Sequence, residues 1–278
     1  MTRLEVVSPG PLTTLQDLGR PGHAHIGVPR SGAADRPALV LANRLVGNDD
    51  GAVALETTLS GPRLRFDGPA VVAFTGAPVP GLAMNEPVEV AAGVELAIGT
   101  ASHGLRTYVA FAGGIRAPLT LGSAATDTLT GLGPTPLRAG DVLELGRGAP
   151  RSRPPAVVNP PARETVLRVL LGPRADWFTA QALARLTGEE FTVSHRANRI
   201  GLRLDGPRLE RALTGELRSE GLVPGAIQVP SDGQPILLLA DHPTTGGYPV
   251  VAVVHSQDIA LAAQLRPGAR LRLSAASA

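Results

Sequence analysis

The chain has 278 residues, of which 43% are hydrophobic and 18% charged, and its formal net charge is +2 at pH 7. All 26 basic residues are arginines and there is no cysteine, which excludes a lysine Schiff base, a biotinyl-lysine, a P-loop lysine, a thiolate nucleophile and a disulfide. The 33 glycines and 26 prolines favour a turn-rich β protein.

Short apolar or alternating runs bounded by glycine or proline predict β-strands along most of the chain. The predicted strands are 71–74, 94–98, 107–111, 142–145, 166–171, 236–240, 250–254 and 271–273. Three helices interrupt them: the first is capped by Asp35 and runs to about residue 46, the second covers 177–186, and the third is capped by Ser256 and runs to 264. This pattern predicts a mainly β fold with a few helices.

A stretch rich in proline and arginine, 147–163, shows neither the strand nor the helix period and predicts a linker. The sequence Leu-Arg-Phe-Asp-Gly-Pro at 64–69 is echoed by Leu-Arg-Leu-Asp-Gly-Pro at 202–207. Such a match reflects either the duplication of one β module or chance recurrence in a chain rich in these residues. We predict an N-terminal β module over 1–148, a linker over 149–163 and a C-terminal module over 164–278.

The first dense polar segment covers residues 16–35 and contains Asp17, Arg20, Ser31 and Asp35 among several glycines. Glycine lets a backbone approach a ligand closely, and arginine binds a carboxylate through two parallel hydrogen bonds. The alternative is purely local: Asp35 caps a helix, Asp17 pairs with Arg20, and the glycines form turns. Both interpretations stand at this stage.

A second polar segment, 219–249, contains a loop directly after the predicted strand 236–240. Backbone N–H groups in such a loop are suited to bind an anion. The loop consists of Thr244, Thr245, Gly246, Gly247 and Tyr248. Asp241, Glu220 and Asp232 are carboxylates that would act as a base or proton relay if partly desolvated. The alternative is that 231–234 and the Thr-Thr-Gly-Gly sequence form turns and that Glu220 pairs with Arg218 or a neighbouring residue.

Other catalytic and binding signatures are missing. There is no Gly-x-Ser-x-Gly sequence, and the pair His23 and His25 has no third ligand, so no metal site is predicted. Scattered arginines and 3% aromatic residues argue against a nucleic-acid partner. The sequence offers neither an apolar run of membrane length nor a signal-peptide core, so we expect a cytoplasmic protein with no membrane partner.

The polar segments lie within motifs that resemble one known family. These motifs are Leu-Gln-Asp-Leu-Gly-Arg at 15–20, Gly-Val-Pro at 27–29, Ser-Gly-Ala at 31–33, Phe-Thr-Gly-Ala at 74–77, Gly-Ala-Ile-Gln-Val-Pro at 225–230 and Thr-Thr-Gly-Gly-Tyr-Pro at 244–249. In them the chain is similar to the KipA family, whose members are known as C-type subunits of 5-oxoprolinase, as allophanate hydrolase subunit 2 or as biotin-dependent carboxyltransferases. One departure is Leu202, where the family often carries tyrosine.

The resemblance implies two cyclophilin-like β-barrel modules that work with a KipI-type first subunit in a hetero-oligomer. That first subunit is also known as the B-type subunit of 5-oxoprolinase or as allophanate hydrolase subunit 1. The implied activity is the ATP-dependent opening of 5-oxo-L-proline, a small cyclic amide, to L-glutamate. ATP would be bound here, shared with the partner or held by it, and no biotin would be attached covalently to this chain. A urea-carboxylase-like carboxyltransferase and a non-catalytic regulator of a kinase inhibitor remain alternatives.

Motifs and chemistry together predict one site. Its catalytic residues would be Asp241, Glu220 and Asp17, and its substrate-binding residues would be Arg20, Ser31, Gln228, Thr244, Thr245, Gly246, Gly247 and Tyr248. We expect both polar segments to face one cleft, because their polar groups would otherwise lack partners. We also expect the substitution Asp241→Asn to lower turnover by orders of magnitude without affecting folding.

Overall fold

The computed structural model describes residues 2–148 and 165–276, and the predicted linker 149–163 lies outside the described residues. The chain divides into two compact units. The described part of the first unit covers 2–20 and 31–148, and that of the second covers 21–30 and 165–276.

The first unit is built from ten described strands and one α-helix. The strands are β1 (Arg3–Ser8), β2 (Thr13–Gln16), β3 (Ala54–Thr58), β4 (Arg63–Phe66), β5 (Ala70–Gly76), β6 (Pro87–Val90), β7 (Glu95–Ala97), β8 (Arg106–Phe111), β9 (Ile115–Arg116) and β10 (Val142–Leu145), and the helix is α1 (Arg36–Leu45). They form two antiparallel five-stranded sheets, ordered β7-β4-β1-β10-β9 and β2-β3-β8-β5-β6.

The core of the first unit lies between these two sheets. On β4, Leu64 and Phe66 are fully buried while the alternate residues Arg63 and Arg65 are exposed, as the two-residue period of a strand requires. Phe66 from one sheet meets Phe111 from the other, with ring centroids 6.1 Å apart. These apolar contacts hold the two sheets face to face.

Helix α1 covers the outer face of the sheet that contains β5 and β8. Asp35 caps it, as predicted, because its carboxylate accepts a hydrogen bond from the N–H of Ala38. Leu39 and Ala42 on the inner face of the helix are fully buried against this sheet. The central strand β8 is therefore covered on both sides, which explains why all six of its residues are buried.

The second unit contains nine described strands and two α-helices. The strands are β11 (Thr165–Leu171), β12 (Glu190–Val193), β13 (Gly201–Asp205), β14 (Glu220–Gly221), β15 (Ala226–Gln228), β16 (Ile236–Leu238), β17 (Thr245–Gly246), β18 (Val250–Val254) and β19 (Arg270–Ala275), and the helices are α2 (Ala180–Gly188) and α3 (Ile259–Ala263).

Seven of these strands close into a barrel in the order β11-β18-β15-β16-β13-β12-β19. The barrel is antiparallel except where β19 returns parallel to β11. Inward residues alternate with exposed ones, so Leu167 and Val169 on β11 are buried while Val166 and Leu170 are exposed. The remaining strands, β14 and β17, form a separate two-stranded ladder.

The prediction of a mainly β fold with a few helices is confirmed, as is the barrel in the C-terminal half. Each of the eight predicted strands is present. The two related sequences occupy strands in both units, since 64–66 lies on β4 and 202–204 lies on β13. The duplication itself stays a prediction.

Two predicted helices differ from the observed ones at their starts. The second was expected over 177–186, but a 3-10 turn, Ala175–Trp177, precedes it and α2 begins only after Thr179, whose hydroxyl caps the helix through the N–H of Ala182. The third begins as a 3-10 turn, Ser256–Asp258, and its cap is His255 rather than Ser256. Within the described residues, none of the helices has the length and apolar character needed to cross a membrane.

Gly113 offers a test of close backbone packing in the first unit. Its φ is +87°, and a Cβ there would lie 2.4 Å from the carbonyl oxygen of Gly146. Gly140 has a similar φ of +88° with no atom within 4 Å of such a Cβ. Both alanine substitutions cost about 1–2 kcal/mol in backbone strain, and Gly113→Ala adds about 1–3 kcal/mol of overpacking. Urea unfolding should therefore find Gly113→Ala clearly less stable than Gly140→Ala; equal losses would contradict the packing.

Candidate functional site

The buried carboxylate of Asp17 organises the polar segment that follows β2. One oxygen accepts hydrogen bonds from the N–H of Gly19 and the hydroxyl of Ser123, both at 2.7 Å. The other accepts from the N–H of Ala124, also at 2.7 Å. Asp17 thus ties residues 17–19 to residues 123–124. The pairing of Asp17 with Arg20, which the local alternative predicted, is wrong.

Arg20 binds backbone oxygen atoms instead. Its side chain is only 1% exposed, Nε donates to the carbonyl of Thr120 at 3.3 Å, and Nη2 donates to the carbonyl of Ala125 at 2.5 Å. Gln16 adds a further bond, from Nε2 to the carbonyl of Thr126 at 2.9 Å. Three side chains of one short run therefore bind the segment 120–126.

Ser31 belongs to the same group. Its φ of +51° places it in the left-handed region, which is uncommon for serine, and its hydroxyl donates to the carbonyl of Thr126 at 3.3 Å. The N–H of Ala33 donates to the carbonyl of Asp17 at 2.9 Å. The structure therefore brings together Asp17, Arg20 and Ser31, the three residues predicted from the first half.

A second buried network fixes the residues that follow Ser31. The hydroxyl of Tyr108 donates to Glu56 at 2.7 Å and accepts from the N–H of Asp35 at 2.7 Å, while the N–H of Ala34 donates to Glu56 at 2.9 Å. Burial, and then the charge of Glu56, raises the pKa of Tyr108 well above its ordinary value, so its hydroxyl stays protonated and able to donate.

Sequence reasoning missed several residues of these networks. They are Glu56, Tyr108, Ser123 and Thr126. The signal available for Glu56 was its place next to the apolar residues Ala54 and Leu55. A carboxylate in a buried strand needs hydrogen-bond donors nearby, so this position predicts a polar network.

In the second unit, the loop residues assemble around Gln228. Thr245 and Gly246, on β17, pair with Gly221 and Glu220 on β14. Gln228 Nε2 donates to the carbonyl of Tyr248 at 2.9 Å, and a Cβ added to Gly246 would lie 2.9 Å from the same nitrogen. The structure thus places Glu220, Gln228 and the loop side by side. Residues 231–234 form the turn of a hairpin between β15 and β16, as predicted by the alternative in which this segment is a turn.

Glu220 is paired with Arg174 rather than with Arg218. Arg174 Nε lies 3.0 and 3.1 Å from its two carboxylate oxygens, and Nη2 also donates to it. The side chain of Glu220 is 30% exposed. The hydrogen bonds from Arg174 lower the pKa of Glu220, so it is an ionised carboxylate at neutral pH with one side open to solvent.

Asp241 lies at the end of the strand region 236–240, but its carboxylate faces Arg199. Nε and Nη2 of Arg199 donate to its two oxygens at 2.8 and 2.9 Å, and the side chains of Asp241 and Arg199 are 0% and 2% exposed. Removing one partner of a fully buried pair leaves the charge of the other uncompensated. The geometry therefore argues against the expectation that Asp241→Asn leaves folding intact.

The expectation that both polar segments face one cleft, and the catalytic roles of Asp17, Glu220 and Asp241, stay predictions. Within the ranges 2–148 and 165–276, no group of three or more histidine or acidic side chains is placed to hold a metal ion.

The Arg199–Asp241 pair can be tested through stability. Asp241→Asn leaves the buried guanidinium of Arg199 without its counter-charge, and we expect a loss of about 3–5 kcal/mol in the free energy of unfolding. Asp205→Asn, at an exposed position on β13, is the matched control and should change stability by less than about 0.5 kcal/mol. Urea unfolding measures both; a wild-type midpoint for Asp241→Asn would contradict the structural role.

The Glu220–Arg174 pair makes a prediction about titration. Arg174→Gln removes the charged donor, so the pKa of Glu220 should rise toward the ordinary glutamate value. NMR titration of the Glu220 side chain would follow this change, with Arg185→Gln, which removes a guanidinium from α2, as the control. An unchanged pKa in Arg174→Gln would show that the pair does not form in solution.

Comparisons with known proteins agree with this fold. Residues 26–275 match the family model described as carboxyltransferase domain, subdomain A and B. The C-type subunit of 5-oxoprolinase from Escherichia coli is 37% identical over 274 residues, which are 95% of this chain and 88% of that protein.

Two solved structures extend the comparison. The TTHA0988 structure superposes with a TM-score of 0.90 at 37% identity, over 99% of this chain and 56% of that one. The K. lactis urea amidolyase superposes with a TM-score of 0.91 at 31% identity, over 99% of this chain but only 19% of that one. This chain therefore spans about half of the TTHA0988 chain and about a fifth of the urea amidolyase chain. The chain belongs to the family of carboxyltransferase domains, subdomains A and B.

Proposed function

We propose that this chain is a subunit of a 5-oxoprolinase-type amidohydrolase, which converts 5-oxo-L-proline, ATP and water to L-glutamate, ADP and phosphate. The observation that carries the proposal is the match to the E. coli 5-oxoprolinase protein, which is 37% identical and is matched over 88% of its length. The partner would be a KipI-type first subunit.

The reaction requires activation of the lactam. An unstrained amide resists hydrolysis because resonance is lost when water attacks its carbonyl carbon. Phosphorylation of the amide oxygen by ATP removes this resonance, so that water adds to the carbon and the ring C–N bond breaks with nitrogen leaving as the amine. The acyl phosphate that remains is hydrolysed by a second water to the carboxylate and phosphate. The protein then has to hold the substrate carboxylate, orient water and stabilise the developing charge.

Of these tasks, the predicted carboxylates of this chain bear on the orientation of water. All three predicted carboxylates are bonded to protein donors, but the side chain of Glu220 is 30% exposed, whereas Asp17 and Asp241 are 7% and 0% exposed. We therefore assign to Glu220 the orientation of water and to Asp17 and Asp241 the positioning of the loops that follow them.

The Thr244–Tyr248 loop is a poor phosphate site in this arrangement. Thr245 and Gly246 are engaged in a strand pair, and the ionised Glu220 lies directly opposite Gly246. A carboxylate at this position repels a phosphate. We therefore place ATP on the partner and leave to this chain the amide substrate.

A second candidate is a carboxyltransferase that acts on urea or a similar amide. It is favoured by the family model and by the superposition on K. lactis urea amidolyase over 99% of this chain. In that case the amide nitrogen would receive a carboxyl group, and no glutamate would be formed.

The assay uses this chain co-produced with its partner subunits. We expect ATP-dependent release of glutamate from 5-oxoproline by the complex and none by this chain alone. Glu220→Gln should lower kcat by about 100-fold or more, the scale of a lost general-base or water-orienting group, whereas Glu216→Gln, in the same exposed stretch, should not.

Two results would contradict the proposal. Biotin-dependent carboxylation of urea without glutamate formation would favour the carboxyltransferase. Absence of turnover on any amide, together with binding to a kinase inhibitor, would favour the regulator.

A further inference from the structure

A cleft of about 600 Å³ lies in the second unit, and none of its lining residues has a role in the proposed reaction. Its first wall consists of residues 208–211 and 213–215, and its second wall is the turn 230–233 between β15 and β16. The N–H of Leu209 donates to the carbonyl of Gly233 at 3.0 Å, which ties the two walls together. A cleft of this volume accommodates a small organic molecule.

The first wall is also bonded to the segment that leads into α2. The N–H of Ala212 donates to the carbonyl of Trp177 at 2.8 Å, and Phe178 and Arg211 form an isolated antiparallel β-bridge. The backbone of this wall is thus held both by the turn and by residues 177–178. The side chains that it carries therefore start from fixed positions.

Arg211 joins the two walls. It belongs to the first wall, and its Nη2 donates at 2.7 Å to the carbonyl of Val229, the residue just before the second wall. Its Nε is buried and has no hydrogen-bond partner. Within the described ranges no carboxylate forms an ion pair with Arg211, whereas Arg199 has its full pair with Asp241. A single carbonyl thus offsets the charge of Arg211, which favours an anionic ligand in the cleft.

Three further charged side chains line the cleft, and all three are exposed: Arg208, Glu210 and Asp232. Asp232 is turned toward its own loop, because its Oδ1 accepts from the N–H of Gln234 at 3.0 Å. Burial alternates along the first wall, since Leu209 is 1% exposed and Arg211 is partly buried while the residues before and between them are exposed. Leu209 and Arg211 therefore share the inner side. The exposed charges are screened by water, so Arg211 dominates inside the cleft.

The rest of the lining combines apolar and hydroxyl groups. Leu213, which is 46% exposed, and Pro230 supply apolar surface, and Thr214 and Ser231 supply hydroxyl groups. Apolar walls beside one anchored charge are typical of a site that binds an amphipathic small molecule.

We propose that this cleft binds a small organic acid, with its oxyanion head on Arg211 and its apolar body against Leu213 and Pro230. The bond to Val229 holds Nη2 in place, so that Nη1 and the second N–H of Nη2 donate to the head. A guanidinium binds a carboxylate or a phosphate through two parallel hydrogen bonds, so either group serves as the head. The site does not depend on the proposed reaction, because it shares no residue with it.

NMR titration of the full chain, followed through its backbone amide signals, tests binding without ATP or a partner. Hexanoate and hexyl phosphate carry both a head and a six-carbon body, acetate lacks the body, and 1-hexanol lacks the charge. We expect at least one of the two hexyl acids to shift the signals of 208–215 and 230–233, and the tighter of the two identifies the head. Acetate and 1-hexanol should each bind about tenfold more weakly or worse, because each loses one of the two contacts.

Variants then assign the binding to these residues. Arg211→Gln removes the guanidinium and should weaken binding of the hexyl acids about tenfold or more. Arg203→Gln is the control, because Arg203 is an exposed arginine on β13 outside the cleft. Leu213→Ala shortens the apolar wall and should weaken the hexyl acids about threefold without affecting acetate. Its matched control is Leu261→Ala, since Leu261 is 41% exposed on α3.

The proposal is overturned if neither hexyl acid shifts these signals, if 1-hexanol binds as tightly as the acids, or if Arg211→Gln binds as tightly as Arg203→Gln. Amide signals away from the cleft report whether Arg211→Gln folds. Should the loss of the bond to Val229 unfold that variant, Leu213→Ala still decides. Equal binding of the hexyl acids by Leu213→Ala and Leu261→Ala would contradict the position of the apolar body.

Discussion

The arrangement of the first unit's polar segment depends on one carboxylate. Asp17 accepts three hydrogen bonds of 2.7 Å, from Gly19, Ser123 and Ala124, and so joins two stretches of chain that are more than 100 residues apart. Hydrogen bonds to a carboxylate are charge-assisted and stronger than bonds between neutral groups. Because Asp17 fixes Ser123 and Ala124, the following residues have a defined place, where Arg20 and Gln16 can bind their carbonyl groups.

In the second unit, ion pairs hold the polar segment in place. Arg199 holds Asp241 at the end of the strand region, and Arg174 holds Glu220 on the short strand β14. The two pairs differ in what they leave open. The first is wholly buried, so its effect is structural, whereas Glu220 is 30% exposed and retains contact with solvent. Exposure rather than residue type therefore separates a carboxylate that only positions a loop from one that can meet water or substrate.

Local signals in the sequence were sufficient for eight of the nineteen described strands and for one cap. Short apolar or alternating runs predicted β10 and β18 with their observed ends, and the place of Asp35 before Pro37 predicted a helix cap. The side-chain partners were not accessible in this way. Arg174 and Glu220 are 46 positions apart and Tyr108 and Glu56 are 52 apart, and no local pattern selects one arginine among 26 as the partner of a given acid. The nearest candidates, Arg20 for Asp17 and Arg218 for Glu220, were both wrong because the fold brings Ser123 and Ala124 to Asp17 and Arg174 to Glu220.

The reason for expecting ligands at the two polar segments was that irregular backbone with many polar groups would otherwise lack partners. The structure shows that most of these groups are satisfied within the protein, since Asp17, Ser31, Glu220 and Asp241 all have protein partners. A polar loop is therefore not by itself a binding site, because the same groups that bind a ligand also bind the protein. A ligand site needs, in addition to polar groups, a cavity in which those groups are accessible.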